Sequence, residues 1–311
     1  MKKLKSYLKK VIRKIFFYPN NLELTAVNHY GCKIYTQKTT TGLKLQFGAY
    51  EKDEFNFFLK QLKPSDFCID IGANIGAFSI FFAKKSFKVT SFEPISFNCK
   101  LLALSSNLNS INNIQIENTI ISDFNGECKF LIANESGLSG IISDDVENHK
   151  EYLKKTYNDF AKEIITVKCR TLDSFDIEKV DIVKIDVEGA ELKVIKGATN
   201  TLLRCKPRIL MIECEDKSLK LYKNSLKELV NHLKNINYYP YVLISGELYP
   251  FDIKHKNKAE NLFFLRKIKL SISFLFMNIG KTLDKKENAK AKKDTTARDN
   301  NIDLNLSKPF I

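Results

Sequence analysis

From Phe67 onward the chain alternates short apolar runs with longer segments whose apolar positions recur every three or four residues. The runs "FCIDIG", "KVTSFEP", "IQIENTII", "VDIVKIDVEG" and "RILMIEC" read as strands. "IGAFSIFFAKK", "SFNCKLLALSSNLN", "AELKVIKGATNTLL" and "SLKLYKNSLKELVNHLKNI" read as helices. Strand followed by helix in succession predicts an α/β fold, a doubly wound sheet that is mostly parallel with helices on both faces. "YYPYVLI" and "NLFFLR" follow one another without a helix, so one of them is expected to run antiparallel. Between 123 and 179 the pattern loosens: "GECKFLIA" reads as a strand, 145–163 as a helix, and "EIITVKCRTLDSF" as a further extended stretch.

Upstream, "CKIYTQ" and "LKLQFG" alternate and suggest a small hairpin. "EKDEFNFFLKQL" then reads as a helix, with Phe55, Phe58, Leu59 and Leu62 on one face and Pro64 ending it. Residues 1–16 set Leu4, Leu8, Val11, Ile12, Ile15 and Phe16 at helical spacing against lysines, a basic amphipathic helix. Such a helix either lies on an anionic membrane surface or docks on the protein's own body. After Ile268, "IKLSISFLFMNIG" is either one more apolar helix or a second membrane-contacting segment, and the polar stretch beyond Gly280 has the composition of a disordered tail. The expected division is therefore 1–20 amphipathic helix, 21–65 hairpin and helix, 66–266 main domain, and 267–311 apolar segment with tail.

At 311 residues and 44% hydrophobic, the chain is long enough for a full-sized core. No run is long and apolar enough for a spanning helix, and no secretory leader is read at the N-terminus. Seven dispersed cysteines without a C-x-x-C pair suggest reduced thiols and a cytoplasmic setting. The four histidines and these cysteines show no metal-ligand spacing. The net charge of +14 changes meaning once it is localised. Residues 1–20 carry seven basic and no acidic residues, and 266–311 carry eleven basic and five acidic, which leaves +1 for 21–265. A nearly neutral body argues against nucleic acid as a partner.

Two stretches carry candidate chemistry. The first is "DIGANIG", at the end of the first strand of the alternating region. Gly72 and Gly76 suit a tight strand-to-helix turn and a close approach to a ligand. Their G-x-x-x-G spacing departs from the G-x-G-x-x-G of dinucleotide enzymes, which sets an NAD-linked oxidoreductase aside. A pyrophosphate also prefers open helix-terminal amides. Asp70 puts a carboxylate at the turn instead, which suits a cofactor with a sulfonium and an amino-acid tail. Glu93, ending the next strand, can accept bonds from both ribose hydroxyls of an adenosine. Together they point to S-adenosylmethionine. The plainer alternative is a turn glycine pair and a helix-start acid.

The second stretch, "VDIVKIDVEGAELKVIKGA", carries Lys184, Asp186 and Glu188 on an apolar strand, with Glu191 in the next helical turn. Ionisable groups there are costly unless paired or functional. Alternation puts the first three on one side, toward the ligand crevice. They serve either as an internal Lys–Asp pair with a capping glutamate, or as catalytic groups. Asp186 and Glu188, with Glu213 third, are candidates for general base, and Lys184 for positioning. The same acids suit a divalent cation holding two substrate hydroxyls, a second use of the motif.

With "DIGANIG", "SFEP", "LLALSSNLN", "IISDFNGE", "TLDSF", "KIDVEGAE" and "RCKPRILMIE" in place, the chain from about 49 to 213 resembles the FkbM-type S-adenosylmethionine-dependent methyltransferases. That resemblance implies a class I methyltransferase fold, Rossmann-like, with a seven-stranded sheet whose last strand is antiparallel, and O-methylation of a hydroxyl. It implies Asp70, Gly72, Asn74 and Gly76 in the cofactor loop, Glu93 on the ribose, and Ser122 and Asp123 at the adenine. It also matches Glu51 to an acid upstream of the first strand. The Asn/Asp-Pro-Pro-aromatic motif of base-methylating enzymes is replaced by "DVEG". The expected acceptor is a sugar hydroxyl of a surface glycan or glycolipid precursor. The enzyme is expected in the cytoplasm, with peripheral contact at the inner face of the membrane through residues 1–16. A small secondary metabolite as acceptor, and a non-catalytic adenosine-binding scaffold, are the alternatives.

Overall fold

The computed structural model describes residues 24–37, 39–133, 138–142, 150–151, 154–155, 161–252 and 260–267. The expected N-terminal helix, the apolar segment after Ile268 and the tail lie outside the described residues.

The central sheet has eight strands in the order β13-β12-β14-β11-β10-β3-β4-β5. β3 (Phe67–Ile71), β4 (Lys88–Phe92), β5 (Ile114–Glu117), β10 (Ile182–Ile185) and β11 (Ile209–Glu213) are mutually parallel. β14 (Asn261–Arg266) runs antiparallel between β11 and β12 (Tyr238–Ile244). The last strand is thus the antiparallel one, as expected from the missing helix. One strand more is present: β13 (Glu247–Pro250) turns back on β12 and forms the sheet's edge.

The middle strands are buried on both faces, which explains why they read as unbroken apolar runs. Ile69, Ile71, Val183, Ile185, Leu210 and Ile212 face one core. That core is closed by α5 (Glu191–Gly197), α6 (Thr199–Cys205) and α8 (Leu226–Asn235). The alternate positions Cys68, Ile182 and Met211 face the other core. There, α2 (Lys52–Gln61) and α3 (Ala77–Ala83) supply an aromatic layer, with Phe55 and Phe78 stacked at 4.3 Å. On α2, Phe55 and Phe58 are buried as expected, but Leu59 is exposed. Phe57 takes its place, edge-on to Phe263 of β14 at 4.8 Å.

Several elements depart from the sequence pattern. "LKLQFG" is helical: α1 (Thr40–Gln46) begins where the Thr39 hydroxyl accepts from the Gly42 amide. Leu45 is its buried apolar anchor, and two residues of alternation gave no protection against that cap. The hairpin instead pairs β1 (Thr25–His29) with β2 (Cys32–Thr36). The long helix expected after β11 is two, α7 (Asp216–Leu221) and α8, because Ser225 and Glu228 form a reciprocal capping box that starts a new helix. Of the expected helix at 145–163, residues 150–151 and 154–155 are helical, the end from Ala161 is strand β9 (Ala161–Arg170), and the rest lies outside the described residues. β9 belongs to a second sheet, β6-β9-β7-β8, made with β6 (Ile120–Ile121), β7 (Gly126–Ala133) and β8 (Gly140–Ile141).

Candidate active site

After β3 the chain runs outward through β4 and β5, then returns to β10 on the other side of β3. The crevice beyond the carboxyl ends of β3 and β10 is therefore a topological switch point, where open α/β sheets bind ligands. A cavity of about 720 Å³ opens there, lined by Gly72 and Asn74 after β3, Glu93 after β4, Asp186 and Glu188 after β10, and Glu213 on β11.

The glycines work inward. Gly72 has φ +77, and a Cβ on it would run into the Asp186 carbonyl; Gly76 has φ +88 and would meet the Leu102 side chain. Both turns thus exist to let the chain pass close to its own neighbours. Gly72 and Asn74 still contribute to the cavity wall, whereas Gly76 lies behind it.

Asp70 is not the acid of the crevice. It is fully buried, accepts from the Ser79 hydroxyl at 2.6 Å, and sits 3.5 Å from Lys184 Nζ. The two residues are paired in register on β3 and β10, pointing into the aromatic core, with Lys184 5.4 Å from the Phe78 ring centre. Lys184 also meets Asp186 at 3.1 Å. Burial would pull the lysine's pKa down, but Asp186 and Asp70 outweigh it and hold it well above its ordinary value. The Lys–Asp pair allowed for in the sequence is present, and neither Asp70 nor Lys184 lines the cavity.

Glu93 is held rigidly. Its carboxylate accepts from the Asn74 amide at 2.8 Å, the Ile95 amide at 2.9 Å and, at 3.2 Å, the Asn98 side chain of α4 (Ser96–Leu108). Burial pushes its pKa up to about 7 against the opposing pull of those donors. Beside it, Ile95, Ile120, Ile121, Phe130 and Ile141 form an apolar wall, the last four contributed by β6, β7 and β8 of the second sheet. Ser122 and Asp123, expected at this point, lie outside the cavity wall. β6 is two residues long and pairs with β9, so at Ser122 the chain has already turned away: its amide donates to Arg170 O and its carbonyl packs under Gly197. Asp123 is exposed.

The opposite end is acidic. β10 stops at Ile185, so Asp186 and Glu188 stand on a turn and not on the strand. Glu188 is left-handed at φ +54, followed by Gly189 at φ +107, where a Cβ would strike the Ser218 carbonyl. Glu191 fastens this turn by accepting from the Val187 and Gly189 amides at 3.2 and 2.9 Å. One carboxylate oxygen from each of Asp186, Glu188 and Glu213 lies within 4.8 Å of the others. Burial first, and then the neighbouring acids, raise the pKa of Glu188 and of Glu213 well above the ordinary carboxylate range. Glu51 reaches the same cavity from the start of α2. It occupies the N-cap position without bonding a helix amide, and burial raises its pKa to about 8.

S-Adenosylmethionine fits these residues: an apolar slot for adenine beside a fixed strand-end carboxylate, and an acidic end for a cationic tail. The profile of the methyltransferase FkbM domain matches residues 70–240, more than half of the chain. The chain belongs to the FkbM methyltransferase family. Among curated members and relatives, 2-O-methyltransferase NoeI of Sinorhizobium fredii is 28% identical over 50% of this chain and 66% of its own length. Hexuronic acid methyltransferase AglP of Haloferax volcanii is 23% identical over 58% and 69%. Methyltransferase sdnD of Sordaria araneosa is 26% identical over 50% and 73%. Among solved structures, the FkbM methyltransferase of Methylobacillus flagellatus KT has a TM-score of 0.45 at 16% identity, covering 71% of this chain and 52% of its own. This FkbM-family protein is an S-adenosylmethionine-dependent methyltransferase. Its cavity also contains residues without a local sequence signal. Phe130 and Ile141 reach it only because the second sheet folds over the crevice, and Asn261 only because β14 inserts beside β11.

Proposed function

We propose that the enzyme is an O-methyltransferase whose acceptor is a sugar hydroxyl, in a surface glycan or glycolipid precursor. The observation that carries this reading is the convergence of Asp186, Glu188 and Glu213 at the end of the cavity opposite the apolar slot. A hydroxyl is a weak nucleophile while protonated, so a carboxylate within reach is useful, above all one whose proton affinity is raised toward neutrality. The hydroxyl proton passes to a carboxylate of this group. With S-adenosylmethionine bound, its sulfonium would supply the methyl carbon to the alcohol oxygen, the carbon–sulfur bond breaking to leave a neutral thioether. The cofactor brings the reactive methyl; the protein contributes alignment and a partly dry cavity. The names of NoeI and AglP, a 2-O-methyltransferase and a hexuronic acid methyltransferase, support a sugar acceptor.

Contact with a membrane through residues 1–16 rests on their sequence pattern; among the described residues no helix is long and apolar enough to cross a bilayer. The function is tested by mass spectrometry of cell-surface glycans with and without the gene, complemented by wild type, Glu188→Gln or Glu213→Gln. The expected result is a sugar methyl that disappears with the gene, returns with wild type, and falls at least about 100-fold in turnover with either variant. An unchanged glycan profile, or near-normal methylation by both variants, overturns it.

A further inference from the structure

We propose that Asp186, Glu188 and Glu213 bind a hard divalent cation, Mg²⁺ or Mn²⁺, at the wall of the cavity, where it can receive the acceptor's hydroxyl oxygen. This deepens the methyl-transfer reading and rests on it for the role of the ion.

The geometry is that of a three-carboxylate face. The oxygens lie within 4.8 Å of one another and come from the turn after β10 and the end of β11. All three residues line the cavity, so water or substrate oxygens can complete the coordination. An all-oxygen donor set with open positions selects magnesium or manganese over zinc.

Charge balance points the same way. Lys184 is the buried cation beside the group, and its ammonium is shared between Asp70 at 3.5 Å and Asp186 at 3.1 Å. Among the described residues, no basic side chain pairs with Glu188 or Glu213. Three carboxylates this close repel strongly in a partly dry site unless they retain a proton or a cation joins them, and a bound cation lets all three ionise.

A second and separate observation comes from across the cavity. The Glu51 carboxylate reaches into the same space from α2, makes no cap bond to its own helix, and has a buried Oε2 without a hydrogen-bond partner among the described residues. It lies outside the 4.8 Å group, so it is suited to bind a water of the ion or to accept the acceptor's proton, not to replace a ligand. Glu51, Glu188 and Glu213 line one cavity and, among the described residues, none of them forms an ion pair, which describes a space built around positive charge beyond what the cofactor's tail brings.

The experiment is a titration of the full chain with Mn²⁺, following free Mn²⁺ by electron paramagnetic resonance, with S-adenosylhomocysteine binding measured on the same samples. One saturable Mn²⁺ per chain is expected. Loss of a direct ligand in Glu188→Gln or Glu213→Gln should weaken it at least as much as the 10–100-fold seen for outer partners. Glu247→Gln, on the edge strand β13, should leave it unchanged, and thermal melts report whether each variant is folded. No saturable uptake up to about 1 mM, the weak end of carboxylate-held cation sites, overturns the proposal, as does uptake that both variants retain. If the wild type takes up S-adenosylhomocysteine but not Mn²⁺, the ion is wrong and the methyl-transfer reading stands. If it takes up Mn²⁺ but not S-adenosylhomocysteine, the cofactor reading fails and the ion site stands.

Discussion

At the scale of single residues, Glu93 shows how much of a binding group is set by what holds it. Its two backbone donors and Asn98 occupy three of the roughly four lone-pair directions of a carboxylate. What remains can face a ribose. Glu93→Gln keeps the shape but must aim an NH₂ at the Asn74 or Ile95 amide, so one buried donor loses its acceptor. That costs about 1–3 kcal/mol, and the loop that forms the ribose site shifts with it. S-Adenosylhomocysteine should bind about 10–100-fold more weakly by calorimetry. A change under about threefold would mean that this carboxylate does not carry the ribose. The acid itself was legible from the sequence, since a charged residue closing an apolar run stands out. Asn98, which orients it, was not: a polar residue early in a helix has many ordinary reasons to be there. Asp70 was legible as unusual, but its pairing with Lys184 was not, because that residue lies 114 positions away and only β3–β10 pairing brings the two together.

Among elements, the parallel strands were readable because burial on both faces leaves an uninterrupted apolar run, and their helices because the intervening pattern changes period. The second sheet was readable only in part: β7 and most of β9 stood out as extended stretches, but β6 and β8 are two residues each and carry no period at all. Yet that sheet supplies the apolar wall of the cavity and removes Ser122 and Asp123 from it. The glycine turn was visible as a turn, while its purpose became clear only in the fold. Gly72 keeps the turn after β3 in contact with the turn after β10, the one that carries Asp186. Gly72→Ala meets two penalties: the left-handed backbone, about 1–2 kcal/mol, and a Cβ forced against the Asp186 carbonyl. Gly48 supplies the comparison, with φ +63 and open space where its Cβ would stand. In urea titrations Gly48→Ala should lose only about 1 kcal/mol, the backbone cost, and Gly72→Ala at least about 2 kcal/mol more. Equal losses would show that the two turns do not depend on one another.

For the molecule as a whole, the acids buried in and behind the cavity make stability depend on pH in a direction opposite to that of surface carboxylates. Burial raises Glu51 to about 8, and Glu93 and Glu191 to about 7, from an unfolded value near 4.5. An acid raised in the native state holds a proton there that the unfolded chain has released. Its contribution is fully present below about 4.5 and is lost as pH rises through the native values. The ligand-free enzyme should therefore melt at progressively lower temperature between about pH 5 and pH 8. Lys184, held above its ordinary value, adds no slope in that range, because it stays protonated in both states throughout. Glu51→Gln, which removes the group titrating highest in this set, should flatten the upper part of the curve, between about pH 7 and pH 8. A cation bound only by the ionised native state should do the same without mutation, because its stabilisation grows as the acids lose their protons. Differential scanning calorimetry across that range, with and without S-adenosylmethionine, checks both. A melting temperature that rises steadily from pH 5 to pH 8 in the free enzyme would mean that the acids are ionised and paired in the native state. The cavity would then already hold its own counter-charge and have no need to borrow one from a ligand.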